Sequence, residues 1–250
     1  MKIDLNCDLG EGAGNDEAIM PHITSANIAC GFHAGDEHVM RATVKLAKQY
    51  GVNIGAHPGW NDRQNFGRLE MKVPVDEAEA IVFEQVNTLV QIAKAEGVVL
   101  THVKPHGALY NQAAKDRLLA DVIARAVKRV SVDLILVGLA GSGLCDAGLA
   151  AGIQVAGEGF PDRAYNPDGT LMSRSKPGAV IELTEEVAKN AVKLVRDGIM
   201  FGEKRVQVDT LCLHGDNKRA VENVILLREV LAKNGIEIMS LRGANATKQS

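Results

Sequence analysis

Aromatic side chains are scarce: Phe, Trp and Tyr together make up 4% of the 250 residues. A core of stacked rings is therefore excluded, and Val, Leu, Ile and Ala must supply the packing. Those residues suit parallel strands covered by helices. Charge of one sign is also lacking, since the net charge is −3 and the pI about 6.2. No basic stripe interleaves with aromatics, so nucleic acid is not expected as a partner. No basic segment followed by an apolar one stands near Met1, and a cytoplasmic location is expected. The longest apolar run, VDLILVGLA at 132–140, is too short for a bilayer and carries Asp133, so no membrane association is expected. No C-x-x-C pair occurs among Cys7, Cys30, Cys145 and Cys212. Reduced thiols follow. Cys7, Cys30 and Cys212 sit in apolar strand patterns and read as small buried hydrophobes rather than nucleophiles.

What is present is ordinary for a soluble globular protein: 46% hydrophobic and 24% charged residues. Short apolar runs recur at 2–8, 25–30, 52–57, 98–103, 132–138, 153–158 and 209–215, with a further one at 236–241. Each is rich in β-branched or leucyl residues and bounded by Gly, Asp, Asn or Pro. Segments of helical period lie between them, at 36–51, 75–97, 183–198 and 217–235. In 75–97, Ala78, Ile81, Val82, Val86, Leu89 and Ala93 share one face. Asp76 with Glu79 is expected to cap its start, and Thr184 to cap the 183–198 helix. About seven strand–helix units without a linker predict one α/β domain over 1–250, a parallel barrel, with the tail from about 243 expected to be flexible. An open doubly wound sheet is the alternative. Two long polar segments, 58–74 and 158–179, are expected to act as lids or binding loops.

The loops after the strands carry most of the chemistry. In a parallel barrel those loops meet at one face. The strand exits supply Asn6, Asp8 and Glu11; Asn27, His33 and Asp36; His57; Lys104 and His106; Glu158; and His214, Asp216 and Asn217. Asp36 and Asn217 read as helix caps, and Asp216 divides between cap and catalytic group. His22 and His38 read as polar surface. Lys104 stands at a strand end before Pro105, so a barrel mouth would partly desolvate it and demand an anion. GLAGSGLC at 138–145 lacks the Lys and Ser/Thr of a phosphate loop, and GSGLCD lacks the third dinucleotide glycine. Both read as helix-start glycines. No H-E-x-x-H or G-x-S-x-G occurs. Asp8, His33 and His57 could hold a divalent ion, but no spacing requires it and no metal is assigned.

The motifs NCDLGEG (6–12), NIACGFHAGD (27–36), GAHPG (55–59), VKPHGALYN (103–111), EGFPDRAY (158–165) and LCLHGDN (211–217) run in order along nearly the whole chain. Together they resemble the LamB/YcsF family. The resemblance implies a distorted seven-stranded (β/α) barrel related to the glycoside hydrolase/deacetylase barrels. It also implies ATP-dependent opening of 5-oxo-L-proline to L-glutamate, with Mg2+ accompanying ATP, in complex with two 5-oxoprolinase partner subunits, B and C. Homo-oligomers remain open. Such chemistry needs a cation and N–H donors for phosphate, a base for water and polar groups for the substrate carboxylate. Lys104 is expected to neutralise the phosphoryl group. Asp8 or Asp216 is expected as the base, relayed by His106 or His214. Asn6, Glu11, His33, His57, Glu158, Arg163, Tyr165 and His214 are expected to hold substrate or phosphate. Two rival functions remain: a metal-dependent amidohydrolase or deacetylase acting alone, and a non-catalytic binding subunit.

Overall fold

The computed structural model describes residues 1–182, 184–201, 203–213 and 219–242. His214, Asp216, Asn217 and the tail 243–250 lie outside them. The strands are β1 (Lys2–Leu9), β2 (Ser25–Ala29), β3 (Asn53–His57), β4 (Leu100–Val103), β5 (Ile135–Leu139), β6 (Val155–Gly159), β7 (Ile199–Phe201), β8 (Lys204–Val206), β9 (Thr210–Leu213) and β10 (Glu237–Ile238). The helices are α1 (Asp16–Ile19), α2 (Glu37–Tyr50), α3 (Val75–Ala95), α4 (Gly107–Ala113), α5 (Arg117–Val130), α6 (Gly143–Ala151), α7 (Thr184–Asp197) and α8 (Ala220–Lys233).

Strands β1 to β6 pair in order, all parallel, and β9 pairs with both β6 and β1. That double pairing closes a seven-stranded barrel, the architecture the repeated units predict. The run at 236–241 yields only β10, which pairs with Lys2 and Ile3. Strands β7 and β8 form a separate antiparallel pair that the sequence pattern does not suggest.

Alternation along β1 explains the division between core and interior. Ile3, Leu5, Cys7 and Leu9 join the hydrophobic layer under the helices. Asp4, Asn6 and Asp8, on the other face, bond across the barrel. In α3, Ala78, Val82, Val86, Leu89 and Ala93 are buried, as their spacing requires.

Two expected caps differ. Pro74 precedes α3 without a side-chain cap, and Asp76 instead lies in the first turn, where its charge suits the helix dipole. Thr184 is the first residue of α7, and its hydroxyl is buried without a partner among the described residues. Asp36 does cap α2, accepting from the Val39 N–H at 2.9 Å.

Candidate active site

The barrel interior is polar in three tiers. At the bottom, Asp4 accepts from Ser25 Oγ at 2.6 Å, Thr24 Oγ1 at 2.9 Å and Thr210 Oγ1 at 2.5 Å. Burial pushes the Asp4 carboxyl up to about 6, and the three hydroxyls offset part of that rise.

In the middle tier, Asn6 Nδ2 donates to Glu158 Oε1 at 2.9 Å and Thr210 Oγ1 at 2.7 Å. Asn27 Nδ2 donates to Asn6 Oδ1 and Asp8 Oδ1, both at 2.8 Å. His102 Nε2 donates to Asn27 Oδ1 at 2.8 Å. Burial first, then the charges of Lys104 and His57, push His102 down to about 3, so its ring is neutral. Gly55 is paired with His102 across β3 and β4, and a Cβ there would overlap the imidazole.

The upper tier centres on Lys104, which is 2% exposed. Its Nζ lies 2.8 Å from Asp8 Oδ1, 3.0 Å from Glu158 Oε1 and 3.0 Å from Cys212 Sγ. Burial alone would lower its pKa, but the adjoining carboxylates outweigh that and hold it well above the ordinary lysine value. Two carboxylates around one ammonium leave the trio net negative. The charge of Lys104 is therefore already matched, which weakens the phosphoryl role expected from sequence. Tyr110 donates to Glu158 Oε2 at 2.8 Å and completes that carboxylate.

Four further groups gather beside Asp8. His57 Nδ1 donates to the Lys104 carbonyl at 2.7 Å. Its Nε2 faces Asp8 Oδ2 at 3.4 Å, Glu11 Oε1 at 3.7 Å and His106 Nδ1 at 3.0 Å. His106 Nε2 donates to the Phe66 carbonyl at 2.9 Å. Glu11 Oε1 lies 3.1 Å from His106 Nδ1 and 3.2 Å from His33 Nε2. The His33 and His106 rings stack at 3.8 Å.

Electrostatics separates these imidazoles. Burial pushes His33 down to about 4 and also lowers His106. Burial opposes charge on His57 too, but the Asp8 and Glu11 carboxylates outweigh it and raise its pKa. Burial would raise Glu11, yet its bonds to His106 and His33 hold it far below the usual carboxylate range.

A cavity of about 560 Å³ opens over this tier, lined by Asp8, Glu11, His57, Lys104, His106 and Tyr110 at its floor. Both long polar loops reach it. Arg68 comes from the first, while Arg163, Arg174 and Lys176 come from the second, and Lys115 precedes α5. Arg68, Lys115, Arg174 and Lys176 are exposed and outnumber the exposed Glu70, so the mouth is cationic above an anionic floor.

Of the residues expected at the site, Asn6, Asp8, Glu11, His33, His57, Lys104, His106 and Glu158 are brought together. Arg163 is buried and lines the cavity, but its guanidinium donates to the Ala179 and Met172 carbonyls at 3.2 and 2.6 Å. Those bonds tie the loop to itself, and burial pulls its pKa down to about 10. Tyr165 does not line the cavity, and its hydroxyl accepts from the Phe160 N–H at 2.6 Å. His214 and Asp216 lie outside the described residues. Sequence reasoning misses Tyr110, which follows His106 by one helical turn, and gives no site role to His102, Asp4 or Thr210. Period-2 alternation with Asn6 and Asp8 is the signal for Asp4.

The sequence pattern of the LamB/YcsF family matches residues 3–246. In Pyrococcus horikoshii, the protein named as the A subunit of 5-oxoprolinase is 49% identical over 251 residues, covering 97% of this chain and 98% of its own. The crystal structure of a lactam utilization protein from Thermus thermophilus has a TM-score of 0.88 at 43% identity, covering 96% of this chain and 100% of its own. A peptidoglycan deacetylase from Bacillus subtilis shares the fold at a TM-score of 0.53 and 12% identity, covering 99% of this chain and 91% of its own. With its motifs in place, its barrel closed and its whole length matched, the chain belongs to the LamB/YcsF family.

Proposed function

We propose that this chain is the A-type subunit of an ATP-dependent 5-oxoprolinase, opening 5-oxo-L-proline to L-glutamate as ATP becomes ADP and phosphate. The names of its relatives support the system. The observation that carries the reading is an anionic floor, centred on Asp8 and fixed by Lys104, beneath a mouth of four exposed cations.

A lactam amide resists hydrolysis because its nitrogen leaves poorly. Transfer of the γ-phosphoryl group from ATP to the lactam oxygen releases ADP and makes the ring carbon electrophilic. One water attacks that carbon, and the C–N bond breaks with a proton going to nitrogen. A second water hydrolyses the resulting acyl phosphate to glutamate and phosphate. Arg68, Lys115, Arg174 and Lys176 suit the polyphosphate, since such side chains meet phosphate oxygens directly. Mg2+ would neutralise further phosphate charge. Asp8 serves as the base. Lys104 and Asn27 hold its Oδ1, and Oδ2 faces His57. Lys104 acts by orienting Asp8 rather than by meeting the phosphoryl group. Asp216 and His214 remain further candidates for base and relay. Two partner subunits, B and C, complete the site.

Glutamate and ADP would be assayed with this chain alone and with its two partner chains. Product only in the mixture, with Asp8→Asn lowering turnover by on the order of a hundredfold or more while the complex still assembles, supports the reading. Glutamate formed without ADP, or full activity in Asp8→Asn, sinks it.

A further inference from the structure

We propose that Glu11 Oε1, His33 Nε2, His57 Nε2 and His106 Nδ1 bind one first-row divalent metal ion, of the zinc class, at the cavity floor. The hydrogen bonds around the imidazoles carry the argument. His57 spends its Nδ1–H on the Lys104 carbonyl, and His106 spends its Nε2–H on the Phe66 carbonyl. A carbonyl can only accept, so those nitrogens carry the protons. In the neutral rings the opposite nitrogens, His57 Nε2 and His106 Nδ1, are then bare lone pairs. They face each other at 3.0 Å. Both also face the carboxylate oxygen of Glu11, at 3.7 and 3.1 Å. Electron-rich atoms repel at such distances unless a cation sits between them.

A proton is one such cation, but it lies on the line between two atoms and satisfies one pair. Here four donors converge, for His33 Nε2 points at the same Glu11 oxygen from 3.2 Å and all four lie within 4.8 Å of one another. Donors bound to a tetrahedral zinc at about 2.0–2.1 Å stand about 3.4 Å apart. Four of the six donor–donor separations, from 3.0 to 3.7 Å, bracket that edge. Imidazole ligands characteristically donate their second N–H to a backbone carbonyl or carboxylate, which fixes tautomer and ring orientation. His57 and His106 both do so. Three imidazoles and one carboxylate favour zinc or a neighbouring transition ion over the all-oxygen shells of Mg2+ and Ca2+. Glycines make room for this arrangement. A Cβ at Gly59 would stand 2.6 Å from His33 Nδ1, and one at Gly67 would stand 2.8 Å from His33 Cβ.

Glu11, His57 and His106 line the cavity, so the ion would be reachable by an oxygen of a bound ligand as a further coordinating atom. The Asp8, His33 and His57 set considered from sequence gives way to one in which Glu11 and His106 replace Asp8, whose Oδ1 is held by Lys104 and Asn27.

The test needs neither ATP nor partner chains, so it stands or falls apart from the proposed activity. The full chain would be stripped with a chelator, dialysed, reloaded with Zn2+ and analysed for metal content. One zinc per chain and a Zn2+-dependent rise in Tm are expected, with Co2+ in its place giving the intense visible absorption of a low-coordinate, nitrogen-rich site. His33→Gln/His106→Gln, checked for folding by circular dichroism, is expected to lose both uptake and the Tm shift. No uptake by the wild-type chain, a pale six-coordinate Co2+ spectrum, or undiminished uptake in the folded double variant would overturn the site. If the double variant does not fold, the wild-type stoichiometry and Co2+ spectrum decide alone.

Discussion

Two buried charges at opposite ends of the barrel interior respond differently to substitution. Lys104 is enclosed by Asp8 and Glu158, both buried. Lys104→Met keeps the volume but leaves two carboxylates without their cation, and removal of one partner from a buried pair costs about 3–5 kcal/mol. Urea titration of the variant checks this. Adding Glu158→Gln should return part of the loss, whereas additive losses would mean the pair is not coupled. Asp4 works in the other direction. Its folded pKa of about 6 stands above the ordinary value of 3.8. The folded state therefore holds a proton that the unfolded chain has released, and the stabilisation present below pH 4 is lost as pH rises towards 6. The difference of about 2 pKa units corresponds to about 3 kcal/mol. Asp4→Asn cannot titrate, so its stability relative to wild type should climb by about two-thirds of that amount between pH 4 and 6. A flat difference across the window would show that Asp4 does not carry the effect.

Elements place these residues, and the polar tiers come from plain strand alternation. In β1 the residues Ile3, Leu5, Cys7 and Leu9 are legible as a buried face, and Asp8 as a site residue at the strand exit. Asp4 and Thr210 are not, because a polar residue deep in a strand reads as solvent-facing unless both sheet faces are known to be covered. His102 escapes notice because Pro105 rules out a helical pair with His106. Its partner, Asn27, is distant in sequence and adjacent only through the β2–β3–β4 pairing. The caps misplaced at Asp76 and Thr184 have a local cause, since an acidic or hydroxyl side chain one or two residues past the cap fits the same pattern. The close approach of Gly55 to His102 yields an element-scale prediction. Gly55→Ala puts a methyl group against the imidazole, which is held on both sides by Thr101 and Asn27. Overpacking of this kind costs about 1–3 kcal/mol. Thermal unfolding should show that loss together with reduced activity, because Asn27 also positions Asp8. An unchanged Tm would mean that β3 and β4 can slide apart.

Closure of the barrel sets how the whole molecule opens. No helix among the described residues is long and apolar enough to cross a membrane. All four cysteines are buried: Cys7 in β1, Cys212 in β9, Cys30 just past β2 and Cys145 in α6. Burial pushes Cys30 up to about 12 and Cys145 up to about 11, and it raises Cys7 and Cys212 well above an ordinary thiol. Only the thiolate reacts with disulfide reagents, and at pH 7 a thiol of pKa about 11 is ionised to roughly one part in ten thousand. A barrel with no free edge between β1 and β9 has no local route that exposes Cys7 and Cys212 separately, so their labelling requires opening of the sheet. Native protein should therefore resist a thiol reagent at all four positions, with Cys7 and Cys212 becoming reactive together at the denaturant concentration that abolishes the barrel's circular dichroism. Cys212 is the informative one, for its sulfur lies 3.0 Å from Lys104 Nζ beneath the cavity. Fast labelling of Cys212 while Cys7 stays protected would mean that the cavity floor opens without unfolding. In that case the Lys104–Asp8–Glu158 trio would exchange with water, and a buried, preorganised base could not be assigned to Asp8.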